Sequence, residues 1–446
     1  MAASASPAHH ATLSLPPDWM SAAATVVLAT SLGMALLAWI DARMKRALPT
    51  IQMQPTPFNN SVMPQCPSMR EVYKPVPFLT NCHVETIMAS FYRSKPDVTY
   101  WRECLHMGDG GTVALDWEFF KDPSTDLPED APVLVLLPGL TGGSSCSYVL
   151  HAVKKAKSVG IRAVVFNSRG TAESPVTSPQ FYSASYTGDM RAVVEHVSKS
   201  RPKSLILAAG WSLGANILLR YLGEEGSNTR VTAAVSMCNP FDLTISNANF
   251  TKGFNKIYDQ NLANGLTRIF AKHEKVWRKG AKEGSRPESV ATAKTIRDFD
   301  DAITIHSYGW ESVDAYYAGS SSSLSIPHLK IPVLFLQALD DPIAPKEAIP
   351  YKDLAANKNC VLVCSLTGGH LGWVCSNRQD LGQSESSWEW IGAPWSDQVM
   401  CEWLQAVIKA KANFAITSAG HCALQSNPPE QHLVGAGQHE SVTNVF

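Results

Sequence analysis

Ser204-Leu205-Ile206-Leu207-Ala208-Ala209-Gly210-Trp211-Ser212-Leu213-Gly214-Ala215-Asn216-Ile217-Leu218 is the stretch that decides the fold. Residues 204–209 form an apolar run of strand length, and the next apolar residues, Ile217, Leu218, Tyr221 and Leu222, fall at helical spacing. Between them stands Gly210-Trp211-Ser212-Leu213-Gly214, so the order is strand, G-x-S-x-G, helix. A serine on so tight a turn needs glycines two positions to either side, where a side chain would strike the neighbouring strand and helix. The turn lifts the hydroxyl above the sheet and sets it at a helix N-terminus, whose amides favour developing negative charge. Ser212 is therefore the candidate nucleophile.

Further apolar, β-branched runs lie at 133–137, 162–166, 231–237, 333–338 and 361–366, most of them separated by stretches of helical spacing. That alternation predicts an α/β chain with a mostly parallel sheet covered by helices on both faces. Two earlier runs, 98–103 and 113–118, flank Gly108-Asp109-Gly110-Gly111 and predict a hairpin at the sheet edge, giving eight strands in all. The interval of about 95 residues before the run at 333 is too long for one crossover helix and predicts an inserted helical cap over about 239–327.

Leu137-Pro138-Gly139-Leu140-Thr141-Gly142-Gly143-Ser144 follows the first long buried strand. Such a loop supplies one oxyanion-hole amide and the residue after the nucleophile supplies the other, which selects the backbone N–H groups of Leu140 and Leu213. The acid and base should follow the serine in chain order. The run at 333–338 ends in Leu339-Asp340-Asp341-Pro342, and the run at 361–366 ends in Thr367-Gly368-Gly369-His370. His370 is the candidate base. Either aspartate could face it, but an acid three residues after the small Ala338 and four before Pro345 is Asp341.

Trp19 to Ile40 gives 22 residues without a charge, about 33 Å as a helix and enough to cross a bilayer. Residues 1–18 carry no Lys or Arg, unlike a signal peptide, so the segment is expected to be a single-pass anchor. Arg43, Lys45 and Arg46 follow it and place the catalytic domain in the cytosol, with an endomembrane such as the endoplasmic reticulum favoured. The division expected is a tail at 1–18, an anchor at 19–40, a proline-rich linker at 41–70, the catalytic domain at 71–415 and a disordered tail at 416–446.

With 38 Lys and Arg against 39 Asp and Glu, the chain gives no sign of a nucleic-acid partner. Ten cysteines without a C-x-x-C pair, and thirteen histidines without a metal-ligand pattern, predict no metal and no cofactor. Oligomeric state is silent. In the cap, residues 251–286 carry nine Lys or Arg against three acids, interleaved with Phe254, Ile257, Tyr258, Leu262, Leu266, Ile269, Phe270 and Trp277. That is either a basic membrane-contacting face or, more simply, a cap packed on the core with its charges solvated.

Taken with His83-Val84-Glu85-Thr86-Ile87, Ala114-Leu115-Asp116-Trp117, Asn167-Ser168-Arg169-Gly170 and Gly368-Gly369-His370-Leu371-Gly372-Trp373, the chain resembles the single-pass membrane α/β-hydrolase-domain lipases and their plant embryogenesis-associated and bacterial relatives. The resemblance runs from about residue 75 to 410. It implies the α/β-hydrolase fold and hydrolysis of carboxylic esters, often acylglycerols or phospholipids, at a membrane. The spacing 370 − 341 = 29 resembles that family's acid-to-histidine interval. The H-x-x-x-x-D element that some relatives link to acyl transfer is missing, and Arg169 reads as a salt-bridged scaffold residue. Two other readings remain open: a silent hydrolase acting as a binding or scaffold protein, and an esterase for small soluble esters.

Overall fold

The computed structural model describes residues 18–119, 126–375 and 391–425, with side chains from 23 to 414 within those limits. Nine strands form one sheet: β1 Thr50–Met53, β2 Tyr100–His106, β3 Thr112–Glu118, β4 Val133–Leu137, β5 Arg162–Asn167, β6 Ile206–Trp211, β7 Val231–Met237, β8 Val333–Ala338 and β9 Cys360–Ser365. Their order is β1-β9-β8-β7-β6-β4-β5-β3-β2. From β5 through β4 to β9 all neighbours are parallel, whereas β1, β2 and β3 pair antiparallel at the two edges. The central strands are buried on both faces, which is why they read as unbroken apolar runs rather than alternating ones.

One face is covered by helices Ser147–Ser158 and Trp395–Gln425, around a core that includes Val149, Val153, Trp403 and Leu404. Helices Gly188–Ser200 and Leu213–Glu225 cover the other, around Val193, Val197, Leu218 and Leu222. The chain leaves β4 toward β5 on one side and reaches β6 on the other. This reversal opens a crevice at the C-terminal ends of β4 and β6, where sheets of this kind bind ligands. Between β7 and β8 stand helices Leu243–Phe250, Asn255–Lys272 and Val313–Ser320 with shorter pieces between them. Their Leu266, Phe270, Trp277 and Phe299 form a separate core cluster together with Phe181 from the connection between β5 and β6.

Three expectations need correction. Among the described residues the sheet has nine strands, not eight. The additional one, β1, lies in the stretch read as a linker over 41–70, and it pairs along β9 from Thr50↔Cys364 to Met53↔Val361. The rest of that stretch is folded too, with Val62, Met63, Cys66 and Met69 buried against the C-terminal helix side of the core. Its prolines do not stiffen a spacer. Pro57, Pro64 and Pro67 open three short helical turns, where a missing N–H costs nothing. Finally, the last helix runs to Gln425, past the boundary at 416, and only residues 426–446 of that tail lie outside the described residues. The N-terminal helix spans Asp18–Met44; its segment Ala23–Met44 has a mean hydropathy of 2.0 and is exposed over most of its length, meeting the rest of the molecule only near its end, where Ala42 is buried and Asp41 bonds Thr80.

Candidate active site

Ser212 sits between β6 and helix Leu213–Glu225 with φ 53° and ψ −120°, a strained conformation for a residue with a side chain. The glycines beside it are sterically obligatory. A Cβ on Gly214 would stand 2.2 Å from the Leu137 carbonyl oxygen, and one on Gly210 2.7 Å from the backbone of Gly214 and Ala215. The Ser212 N–H donates to the Met237 carbonyl at 3.0 Å, which ties the turn to the neighbouring strand.

The loop after β4 crosses directly above. A Cβ on Gly139 would come within 3.3 Å of the Ser212 Cβ. Two tyrosines fix this loop: Tyr148 Oη accepts from the Gly139 N–H at 3.1 Å, and Tyr182 Oη accepts from the Thr141 N–H at 3.0 Å. The amide between them, that of Leu140, has no acceptor among the described residues, and neither has that of Leu213 at the first position of its helix. Both residues line the cavity with Ser212. Sequence reasoning missed Tyr148 and Tyr182, since no spacing rule singles them out.

The far end of the loop is held by a buried network. Ser144 N–H donates to Asn167 Oδ1 at 2.9 Å, while the Ser144 hydroxyl and Asn167 Nδ2 both donate to Asp116, at 2.5 and 2.8 Å. Arg102 grips the same carboxylate with two contacts of 2.7 Å. Three motifs far apart in the chain thus meet at Asp116. Arg169 is bound likewise, between Asp109 and Asp189 at 2.5 and 2.7 Å, and braces the scaffold away from the serine.

His370 stands on the loop after β9. Its Nδ1 lies 2.8 Å from Asp341 Oδ2 and 3.0 Å from Oδ1. The Asp341 side chain is wholly buried and that of His370 only 6% exposed. Asp341 Oδ1 also accepts from the backbone N–H groups of Ile343 and Ala344, both at 2.8 Å, so the carboxylate cannot rotate. Asp340 points elsewhere. It accepts from the Gly369 N–H at 3.0 Å and braces the histidine loop, and burial pushes its carboxyl up to about 6. The aspartate bonded to the imidazole is thus Asp341, the one that the spacing selects, and Asp340 takes a separate position.

Helix Cys82–Tyr92 supports that loop from beneath. Thr86 Oγ1 accepts from the His370 N–H at 2.9 Å, and Glu85 Oε1 accepts from the Val374 N–H at 2.9 Å. Arg93 donates to the Gly372 carbonyl. Gly369, with φ 53°, passes so close that a Cβ would meet Thr86 Oγ1 at 2.6 Å. Burial raises the Glu85 carboxyl to about 8.

Ser212, Leu140, Leu213 and His370 line one cavity of about 680 Å³. Its remaining wall is largely apolar and is drawn from the insertion and its neighbours, including Phe181, Phe250, Leu266 and Phe299. No hydrogen bond joins Ser212 to the imidazole among the described residues. In ligand-free hydrolases this contact is often long and tightens on binding. Of the cap's apolar residues, Tyr258, Leu266, Phe270 and Trp277 are buried, whereas Phe254 and Ile257 are exposed. Several of its basic residues are paired, Arg278 with Glu274, Arg286 with Asp301 and Lys272 with Glu173, so charge on this stretch is partly neutralised.

A family model described as alpha/beta hydrolase fold matches residues 132–370. The embryogenesis-associated protein EMB8 of Picea glauca is 48% identical over 357 residues, covering 79% of this chain and 76% of its own. Phospholipase ABHD3 of Homo sapiens is 34% identical over 320 residues, covering 71% and 77%. Monoacylglycerol lipase of Saccharomyces cerevisiae is 34% identical over 256 residues, covering 56% and 57%.

Proposed function

On the premise that the chain belongs to the α/β-hydrolase fold family, we propose that it hydrolyses carboxylic esters, membrane lipid esters foremost, with Ser212 as nucleophile, His370 as base and Asp341 as the orienting acid. The observation that carries this reading is the buried Asp341–His370 pair on the same cavity as a serine held at φ 53°.

His370 Nε2 takes the Ser212 proton as Oγ attacks the ester carbonyl, while Asp341 holds the Nδ1–H tautomer and stabilises the imidazolium. The N–H groups of Leu140 and Leu213 stabilise the oxyanion. As the tetrahedral adduct collapses, the ester C–O bond breaks and the alcohol leaves with the proton from His370. Water then attacks the acyl-enzyme with His370 again as base, and the carboxylic acid departs as Ser212 regains its proton.

The lipid preference rests on the apolar cavity and on relatives named phospholipase and monoacylglycerol lipase. It rests also on the exposed apolar helix Ala23–Met44, read here as a single-pass endomembrane anchor with the catalytic domain on the cytosolic side. The test is covalent labelling by a fluorophosphonate together with fatty-acid release from a lipid panel. Both should vanish in Ser212→Ala, and release that survives this substitution would refute the proposal.

A further inference from the structure

Helix Cys82–Tyr92 has two faces. Glu85, Thr86 and Ala89 are buried beneath the histidine loop, while Val84 and Phe91, seven residues apart and so on one line along the helix, are 41% and 72% exposed. Across the cavity mouth, Phe254 and Ile257 at the start of helix Asn255–Lys272 are 43% and 54% exposed. The two helices touch: the ring of His83 lies 4.8 Å from that of Phe254, and His83 Nδ1 is 3.1 Å from Tyr258 Oη. Phe91 and Ile257 also line the cavity, so the exposed apolar side chains form a rim around its entrance.

The position of that rim relative to the N-terminal helix suggests what covers it. At the end of that helix, Asp41 accepts from the Thr80 hydroxyl and Lys45 Nζ donates to the Thr80 carbonyl at 3.0 Å. Asn81 next to it caps helix Cys82–Tyr92. Eleven helical residues span about 16 Å. The end of the apolar helix and the mouth of the cavity are therefore joined by one rigid helix of that length.

We propose that the rim formed by Val84, Phe91, Phe254 and Ile257 docks onto a lipid bilayer, so that the acyl chain of a substrate passes from the leaflet into the cavity without crossing water. The surface is apolar and lies beside a segment fit to span the hydrocarbon, which favours lipid over a protein partner. The ester-hydrolase reading above bears only on what then happens to that chain inside.

The full chain is reconstituted in phosphatidylcholine vesicles with benzoylphenylalanine replacing Phe91, Phe254 or, as a control at the opposite end of β6, the exposed Leu205. Irradiation should give lipid adducts at 91 and 254 and none at 205. Adducts to protein, including a second copy of this chain, or equal lipid adducts at 205, would overturn the proposal. In parallel, Val84→Asp with Phe254→Asp should lower hydrolysis of a vesicle-embedded ester roughly tenfold or more while a water-soluble short ester is cleaved as before. Equal turnover of the embedded ester by both proteins would also overturn it. Should the double variant fail to fold, the crosslinks decide. Should wild type cleave neither ester, the hydrolase reading falls while the docking surface is still judged by the adducts.

Discussion

Replacing Asp341 by asparagine separates the proposed triad from every reading in which this aspartate merely braces a turn. Its Oδ1 accepts from the N–H groups of Ile343 and Ala344, both at 2.8 Å, and its Oδ2 lies 2.8 Å from His370 Nδ1. An asparagine must keep its carbonyl oxygen at the Oδ1 position. The opposite orientation would set an NH2 group against two buried donors, at about 1–3 kcal/mol for each N–H left unsatisfied. The amide NH2 is thereby forced to face Nδ1 as a donor. The imidazole then carries its proton on Nε2 and can no longer accept one from Ser212. A wrong tautomer in an otherwise intact triad lowers kcat by about 10⁴, or about 5.5 kcal/mol of barrier. Asp340→Asn is the internal control. Its amide oxygen can still accept from the Gly369 N–H, so the expected loss is less than roughly tenfold. Turnover of a fluorogenic ester and the rate of fluorophosphonate labelling read the effect, and thermal melts verify folding. Asp341→Asn within tenfold of wild type, or an equal fall in the two variants, would refute the assigned roles.

Tyr182→Phe removes the acceptor of the Thr141 N–H and should lower kcat roughly tenfold with KM little changed, because the loop presenting the Leu140 amide loosens; a change in KM alone would contradict the clamp. Glu85 faces Arg93 and Asp340, and burial raises its carboxyl from 4.5 to about 8, so the native state retains a proton that the unfolded chain releases. Its contribution to stability is complete below about pH 4.5 and is lost as pH climbs through about 8. Glu85→Gln has no proton to lose and should melt higher than wild type at pH 9, with a flatter profile from pH 6 to 9; parallel profiles would count against this. A chain starting at residue 47 keeps β1 and should fold. One starting at 71 loses β1 and the buried Val62, Met63, Cys66 and Met69, about 6–12 kcal/mol of apolar burial against a net stability of about 5–15, and should be recovered as insoluble protein.

The strand-turn-helix at Ser212 was readable because its geometry leaves so few choices. Gly210 and Gly214 each lie against backbone where a single carbon would collide, and that constraint writes itself into five consecutive residues. His370 was readable for a related reason, as paired glycines at a strand end let the loop close on Thr86. The supports of these residues left no comparable mark. Tyr148 and Tyr182 act through one hydroxyl each, from a helix and a loop whose spacing is ordinary. Strand β1 is four residues long and finds its partner more than 300 residues later, at an edge that β9 supplies. Periodicity also treated Phe254 and Ile257 like Leu266 and Phe270, since a helical repeat reports which residues are apolar and not which of them a tertiary contact will cover.

Helix Cys82–Tyr92 links these observations. Its inner face holds the His370 N–H through Thr86 and the Val374 N–H through Glu85, so the orientation of the imidazole depends on the seating of this helix. Its N-terminal side meets Thr80, which is bonded to both Asp41 and Lys45 at the end of the apolar helix, and its outer face carries Val84 and Phe91. The helix and the loop bearing His370 are in tight contact, because Gly369 leaves no space against Thr86. In the proposed scheme, facing the lipid and positioning the base thus fall on opposite sides of the same eleven residues. Thr86→Val makes the coupling measurable. It removes the acceptor at the His370 N–H while leaving the rim intact, so soluble and embedded esters should lose turnover to the same degree, in contrast to the selective loss expected from changes at Val84 and Phe254.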